Sequence, residues 1–195
     1  EALSASIAAR ISVDTSKAEV ARRALAAGAA IVNDVTALRG DSGMIEVAAD
    51  AGCPLCLMHM VGAPKTMQED PRYHDVVDEV LSFLEERLAF AVARGVREEQ
   101  VWLDPGIGFG KTVEHNLLLL RHLDRFVALG RPVVLGTARK RFLGALLDAG
   151  SQDRQSGTVA TTVMGALAGV SVFRVHEVRS NVGALRVTEA VRRAG

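Results

Sequence analysis

The chain has 195 residues, 49% of them hydrophobic and 24% charged, with a formal net charge of zero. That balance suits one sizeable globular core, and without a basic excess it gives no nucleic-acid footprint, so no nucleic-acid partner is expected. Apolar runs are broken by charge or glycine well short of the ~20 residues that a membrane-spanning helix needs, and no secretory segment opens the chain. A cytoplasmic protein with no membrane partner is therefore expected.

Short apolar runs rich in β-branched residues alternate with helical patterns from end to end. Strands are predicted at 11–14, 30–34, 55–59, 101–104, 132–136 and 172–176, each read as a strand buried on both faces of a parallel sheet. Helices are predicted at 17–27, 42–51, 75–94, 113–129, 158–168 and 178–194. Gly28, Gly52, Gly95, Gly130 and Gly169 stand where the first five should stop. No linker or low-complexity break interrupts the pattern, so residues 1–195 are read as a single domain.

Strand and helix in alternation imply an α/β fold with a parallel sheet, either open and doubly wound or closed as a (β/α)8 TIM barrel. Asp14, Asn33, Asp34, His59, Asp104, Lys140 and His176 fall at or just past the carboxyl ends of different strands. A barrel gathers all those ends at one mouth, whereas an open sheet gathers only those near its switch point. The barrel is the expected fold. Six of its eight β/α units are present, which places two more, on the order of 60 residues, upstream of Glu1.

Residues Val101 to Thr112 read VWLDPGIGFGKT and invite a phosphate-binding loop. That loop requires a glycine at the place held by Pro105, and the dinucleotide fingerprint would require its third glycine at Lys111. What is left is a strand that delivers Asp104 into a loop stiffened by proline and loosened by glycine. Cys53 and Cys56 form a C-x-x-C pair. Cys56 lies inside an apolar run rather than at a helix N-terminus, and there is no second pair, so both are read as reduced structural cysteines.

Carboxylates and amides such as Asp14, Asn33 and Asp104 suit the edge of a flat heterocycle that carries both donors and acceptors. Lys140, Arg174 and His176 suit an anion. Each residue also has a plainer account. Asp14-Thr15-Ser16 can cap the following helix, Asn33-Asp34 can form a turn, and Lys140 can belong to a solvated basic run. His59 can be locally hydrogen-bonded, and His74, His115 and His122 are read as surface or helix residues. Metal-hydrolase motifs and the G-x-S-x-G elbow are absent from the sequence.

Six stretches in order resemble the dihydropteroate synthase family of pterin-binding barrels: Ile11 to Lys17, Asn33 to Val35, Leu57 to Met60 with Gly62 to Gln68, Leu103 to Lys111, Gly136 to Gly144, and Arg174 to His176. The resemblance implies a transferase of folate synthesis that joins 6-hydroxymethyl-7,8-dihydropterin pyrophosphate to p-aminobenzoate, releasing pyrophosphate. It implies pterin contacts from Asp14, Asn33, Val35, Met58, Asp104, Gly136 and Lys140. Pyrophosphate contacts fall to Arg174 and His176, and Gly108, Phe109 and Ala138 take the aminobenzoate side. Lys140, Arg174 and His176 are the expected catalytic residues.

The cofactor implied is magnesium, with no ligand in this chain, since the family's magnesium-side asparagine belongs to an N-terminal segment that precedes the matched stretches. Sulfonamide-type competitors and a homodimer, with the last helix as a face, are also implied. Two positions depart from the family pattern. Ala138 stands where serine is usual and Glu177 where aspartate is common. A pterin-binding paralogue without synthase activity, and a methyltetrahydrofolate-corrinoid methyltransferase, stay open as alternatives, although the latter lacks the Gly136 to Gly144 stretch.

Overall fold

The computed structural model describes residues 2–62, 66–147 and 154–194; Glu1 and Pro64 lie outside the described residues. The chain forms two compact units, Glu1–Met60 with Ser82–Asp104, and Val61–Leu81 with Pro105–Gly195.

In the first unit a short helix α1 (Ala2–Ser6) precedes β1 (Ser12–Asp14), α2 (Ala18–Ala26), β2 (Ile31–Asp34), α3 (Met44–Ala51), β3 (Leu55–Met58), α4 (Val76–Ala93), whose first turns belong to the second unit, and β4 (Val101–Asp104). The four strands form one parallel sheet in chain order. A strand–helix–strand crossover returns each strand parallel to the last, which is what the alternating pattern requires. Helix α3 buries Met44, Ile45, Val47 and Ala48. On its outer side α2 carries Glu19, which pairs with both Arg22 and Arg23 at 2.7 Å. These exposed pairs add little stability. Burial of side chains such as Leu55, Leu57 and Leu103, each at 0% exposure, supplies about 1.5–3 kcal/mol apiece.

The second unit continues with α5 (Val113–Arg121), α6 (Leu123–Val127), β5 (Val134–Leu135), α7 (Arg141–Leu147), α8 (Gln155–Ala168), β6 (Val172–Phe173) and α9 (Val178–Arg193). β5 and β6 pair in parallel, Val134 level with Val172. Helix α8 packs against α9, and α7 against both α5 and α8.

The six predicted strands all form, and the five glycines expected to end helices all take positive φ, between 61° and 101°. Three expectations change. The helix predicted over 113–129 is two helices, broken at His122 (φ −111°, ψ 31°). Helix α7 forms where the sequence predicts no element, because Gly144 interrupts its short apolar pattern. Two strands are not buried on both faces: in β1 Ser12 and Asp14 are exposed, where among the described residues β1 pairs with β2 alone, and in β6 Val172 and Phe173 are only half-buried. No described helix is long and apolar enough to cross a membrane.

Candidate functional site

The register of the first sheet decides which polar residues share a face. Asp14 lies level with Asn33, Asn33 with Cys56, and Cys56 with Trp102. Residues level in a parallel ladder project to the same side, and the two-residue period returns to that side at Met58 and Asp104, which are level with each other. Asp14, Asn33, Met58 and Asp104 therefore stand on one face, near the carboxyl ends of four adjacent strands. Val35 follows β2 and is half-buried. Asp34, level with Leu57, faces the other way.

That division separates the two accounts given to these residues. Asp34 is fully buried and shapes its own turn: Oδ1 accepts the Thr36 N–H at 2.8 Å and the Thr36 hydroxyl at 2.6 Å, and Oδ2 accepts the Leu38 N–H at 2.8 Å. Ala37 and Leu38 are held at φ 51° and 64°. Arg87, buried against the Phe90 ring at 4.1 Å, donates from Nε to the Ala37 carbonyl at 2.9 Å. Asp14 does the reverse of what a cap would do. The first amide of α2, on Ala18, is taken by Asp41 Oδ2 at 2.8 Å, and the turn before it by the Thr15 hydroxyl, which accepts from Lys17 at 3.1 Å. Asp14 is exposed and enters no hydrogen bond or ion pair with a described residue. Asp104, by contrast, is 1% exposed.

His59 is 4% exposed, with its ring edge-on to Phe83 at 4.9 Å, so it packs in the core. Cys53 and Cys56 form no disulfide with a described residue. Burial pushes the Cys53 thiol above its ordinary value, which makes it less nucleophilic. Among the described residues no group of three His, Cys, Asp or Glu is placed to hold a metal ion.

In the second unit, Gly136 is buried and a Cβ there would come within 3.0 Å of Arg174 Nη2 and 3.1 Å of its Nε. The glycine makes room for that guanidinium. The Arg174 amide also donates to the Leu135 carbonyl at 2.9 Å. The Lys140 ammonium sits 3.8 Å from the centre of the Phe109 ring, a cation–π contact. Gly108, at φ 79°, lets the Lys140 stem pass, since a Cβ would meet its Cδ at 2.9 Å. Gly108 thus makes room for a neighbouring side chain of the protein itself. A cavity of about 520 Å³ opens beside Phe109, Arg139, Lys140 and Arg141.

Ala138, half-buried, follows Thr137, whose hydroxyl is hydrogen-bonded to that of Thr161 at 2.7 Å. Thr137 therefore does not replace the hydroxyl that Ala138 lacks. Arg139, at φ 55°, pairs with Glu177 at 3.2 Å. His176 is exposed and has no hydrogen bond or ion pair with a described residue.

The Gly-Lys-Thr run, which invited a phosphate loop, has two local tasks. Thr112 caps α5, its hydroxyl accepting the His115 N–H at 3.1 Å while His115 Nδ1 accepts the Thr112 N–H at 3.3 Å. Lys111 is 4% exposed and donates from Nζ to the carbonyls of Gly106 at 3.0 Å and Phe109 at 3.1 Å. Asn116, unmarked in the sequence, is 1% exposed. Its Oδ1 accepts the Gly108 N–H and its Nδ2 donates to the Thr112 carbonyl, both at 2.6 Å. The one available signal was an amide on the buried face that α5 otherwise forms from Leu119 and Leu120.

Parallel strands joined by helices, with polar residues at their carboxyl ends, place the chain in the α/β class whose sites are built at those ends. The chain belongs to the pterin binding enzyme family, whose model matches residues 1–176. It is 46% identical over 180 residues to the dihydropteroate synthase of Escherichia coli K12, covering 92% of this chain and 64% of that one. To the dihydropteroate synthase of Haemophilus influenzae it is 40% identical over 184 residues, covering 94% and 66%. The chain thus spans a little under two thirds of the length of these curated relatives.

Among solved structures it is similar to Yersinia pestis dihydropteroate synthase in a sulfonamide drug complex, with a TM-score of 0.96 at 40% identity, covering all of this chain and 70% of that one. The Xanthomonas albilineans enzyme in complex with 7,8-dihydropteroate superposes with a TM-score of 0.92 at 42% identity, covering 100% and 71%. The (β/α)8 barrel expected from the polar residues at the strand ends is the fold that these similarities support.

Proposed function

We propose that the protein of which this chain is part is a dihydropteroate synthase. The observation that carries the reading is the exposed Asp14 carboxylate, relieved of capping by Asp41 and set on the same sheet face as Asn33, Met58 and Asp104. Supporting it are the relatives of that name and the solved structure with 7,8-dihydropteroate.

In this reading Asp104 and Asp14 accept N–H groups of the pterin, Asn33 pairs with its mixed donor and acceptor edge, Met58 and Val35 pack on the ring, and Gly136 and Lys140 complete the pterin contacts. Arg174 and His176 hold the pyrophosphate. Gly108, Phe109 and Ala138 flank the p-aminobenzoate. As the bond from the pterin methylene to the pyrophosphate oxygen breaks, negative charge grows on the oxygens held by Arg174 and His176. The neutral arylamine nitrogen attacks the methylene carbon, forms the new C–N bond and sheds its proton. Pyrophosphate is a good leaving group, so the protein needs to bind, orient and exclude water more than to move protons.

The donor set around Arg174 and His176 suits phosphate oxygens rather than magnesium, so that ion fits as a companion of the pyrophosphate, bound through one or two protein oxygens at most. When bound, it would neutralise part of the charge on the leaving group. We place the protein in the cytoplasm as a homodimer, with a face on α9, where Val178, Val187 and Val191 are 60%, 65% and 70% exposed. Sulfonamides are expected to compete with p-aminobenzoate.

Ala138 favours one second reading, a pterin-binding paralogue without synthase activity. The test is pyrophosphate release by the purified full-length protein, which should require both substrates. Pterin binding without release would select the paralogue, and neither binding nor release would overturn both. Within that assay Asp104→Ala should weaken pterin binding by about 1.5–3 kcal/mol, the range for a hydrogen bond to a charged group.

A further inference from the structure

We infer that Lys111, Asn116 and Tyr73 are positioning residues that clamp the loop from Gly106 to Gly110, and through it set Phe109 beneath Lys140 for p-aminobenzoate. The inference rests on the synthase reading for its substrate and on the geometry of the second unit for the clamp.

Within the loop the Phe109 N–H donates to the Gly106 carbonyl at 3.0 Å, and side chains from outside it hold several of its other backbone groups. The Lys111 ammonium draws the Gly106 and Phe109 carbonyls together. Asn116 holds the Gly108 amide. The Tyr73 phenol donates to the Gly110 carbonyl at 2.8 Å, and burial raises its pKa, so it stays a donor. Gln68 Nε2 reaches the Gly108 carbonyl.

A buried ammonium is costly to desolvate, and is tolerated when carbonyl dipoles converge on it. In a nucleotide-binding loop the lysine faces outward to phosphate, whereas here it faces inward to the backbone of its own loop. The consequence falls on Phe109. Its carbonyl is one of the two that Lys111 holds, and its ring lies 3.8 Å from Lys140 Nζ, at the edge of the cavity of about 520 Å³. Loosening the carbonyl would move the ring, and Lys111 acts on the substrate through that ring rather than by touching it.

The experiment uses the full-length protein with Lys111→Met, which keeps the stem and removes the charge, and Tyr73→Phe, which removes only the phenol oxygen and should fold even if the first variant does not. Two measurements are read. Amide exchange at Phe109 and Gly110 should quicken in both variants while the β1–β4 sheet is unchanged. In steady-state kinetics the KM for p-aminobenzoate should rise at least about tenfold for Lys111→Met and about threefold for Tyr73→Phe, the scale on which small misplacements cost rate.

The Kd for the pterin pyrophosphate, measured alone by calorimetry, should stay within about twofold. Unchanged exchange overturns the clamp, whatever the activity. Faster exchange with equal losses for both substrates reduces these residues to structural support and overturns the positioning role. A wild-type protein that releases no pyrophosphate would defeat the synthase reading, and with it the aminobenzoate part of the inference, while the exchange measurement would still decide the clamp.

Discussion

Asp41 caps the helix that Asp14 introduces: its Oδ2 accepts the Ala18 amide at 2.8 Å and its Oδ1 the Gly43 amide at 2.9 Å, across 23 residues of chain in the first case. Because of this relationship the two aspartates should be separable by experiment. Asp14→Asn is expected to leave thermal stability unchanged and to weaken pterin binding about tenfold, as loss of one charged hydrogen bond would. Asp41→Asn should lower the melting temperature and leave binding intact. The reverse pattern in a paired melting and calorimetry series would return Asp14 to a capping role.

The same cap predicts a pH effect. The Ala18 amide, then the Gly43 amide, hold the Asp41 carboxyl below its ordinary value of 3.8. A carboxyl lowered on folding contributes stability above its unfolded value, and that stability is lost as pH falls through the folded one. Stability should therefore drop more steeply below about pH 4 in the parent protein than in Asp41→Asn. Parallel acid-melting curves for the two proteins would remove Asp41 as a contributor.

Gly136→Ala tests the packing of Arg174. The added Cβ would sit 3.0 Å from the guanidinium, so the arginine must shift by a few tenths of an ångström. We expect affinity for the pterin pyrophosphate to fall about tenfold more than affinity for the pterin alcohol, because both ligands meet the added methyl and only the pyrophosphate draws on that charge. Competition binding with the two ligands at fixed ionic strength makes the comparison, and equal losses would separate Arg174 from the pyrophosphate.

Asp34→Ala should be among the more destabilising single changes in the first unit. It strands the Thr36 and Leu38 amides, whose acceptor is fully buried, for a cost of about 3 kcal/mol. Asp34→Asn keeps one acceptor oxygen and should cost about half as much. Denaturant titration of the three proteins ranks them, and a loss below 1 kcal/mol for the alanine variant would show that the turn at Ala37 and Leu38 finds other acceptors.

Which parts of this architecture could be read in advance follows from the range of the interactions that make them. Strands such as Leu55–Met58 and stops such as Gly52 are local, written in adjacent residues, and they appear where expected. The break at His122 has neither proline nor glycine to announce it. Asp41 reaching Ala18, and Gly108 making room for Lys140, join residues far apart in the chain, so neither could be read from spacing. Asp14 and Asp34 look alike in sequence, each an aspartate at a strand end. The parity of the ladder separates them, and parity is known only once the register is.

The inward Lys111 also changes how the protein should meet amine-directed chemistry. An acylating reagent needs a neutral amine that it can reach, and this one is 4% exposed and engaged with two carbonyls. Lys17, exposed on the surface, should label first, half-buried Lys140 later, and Lys111 only once its loop has opened. The order in which peptides gain an acyl group would then serve as a clock for that opening, readable by mass spectrometry on protein that has never seen a substrate.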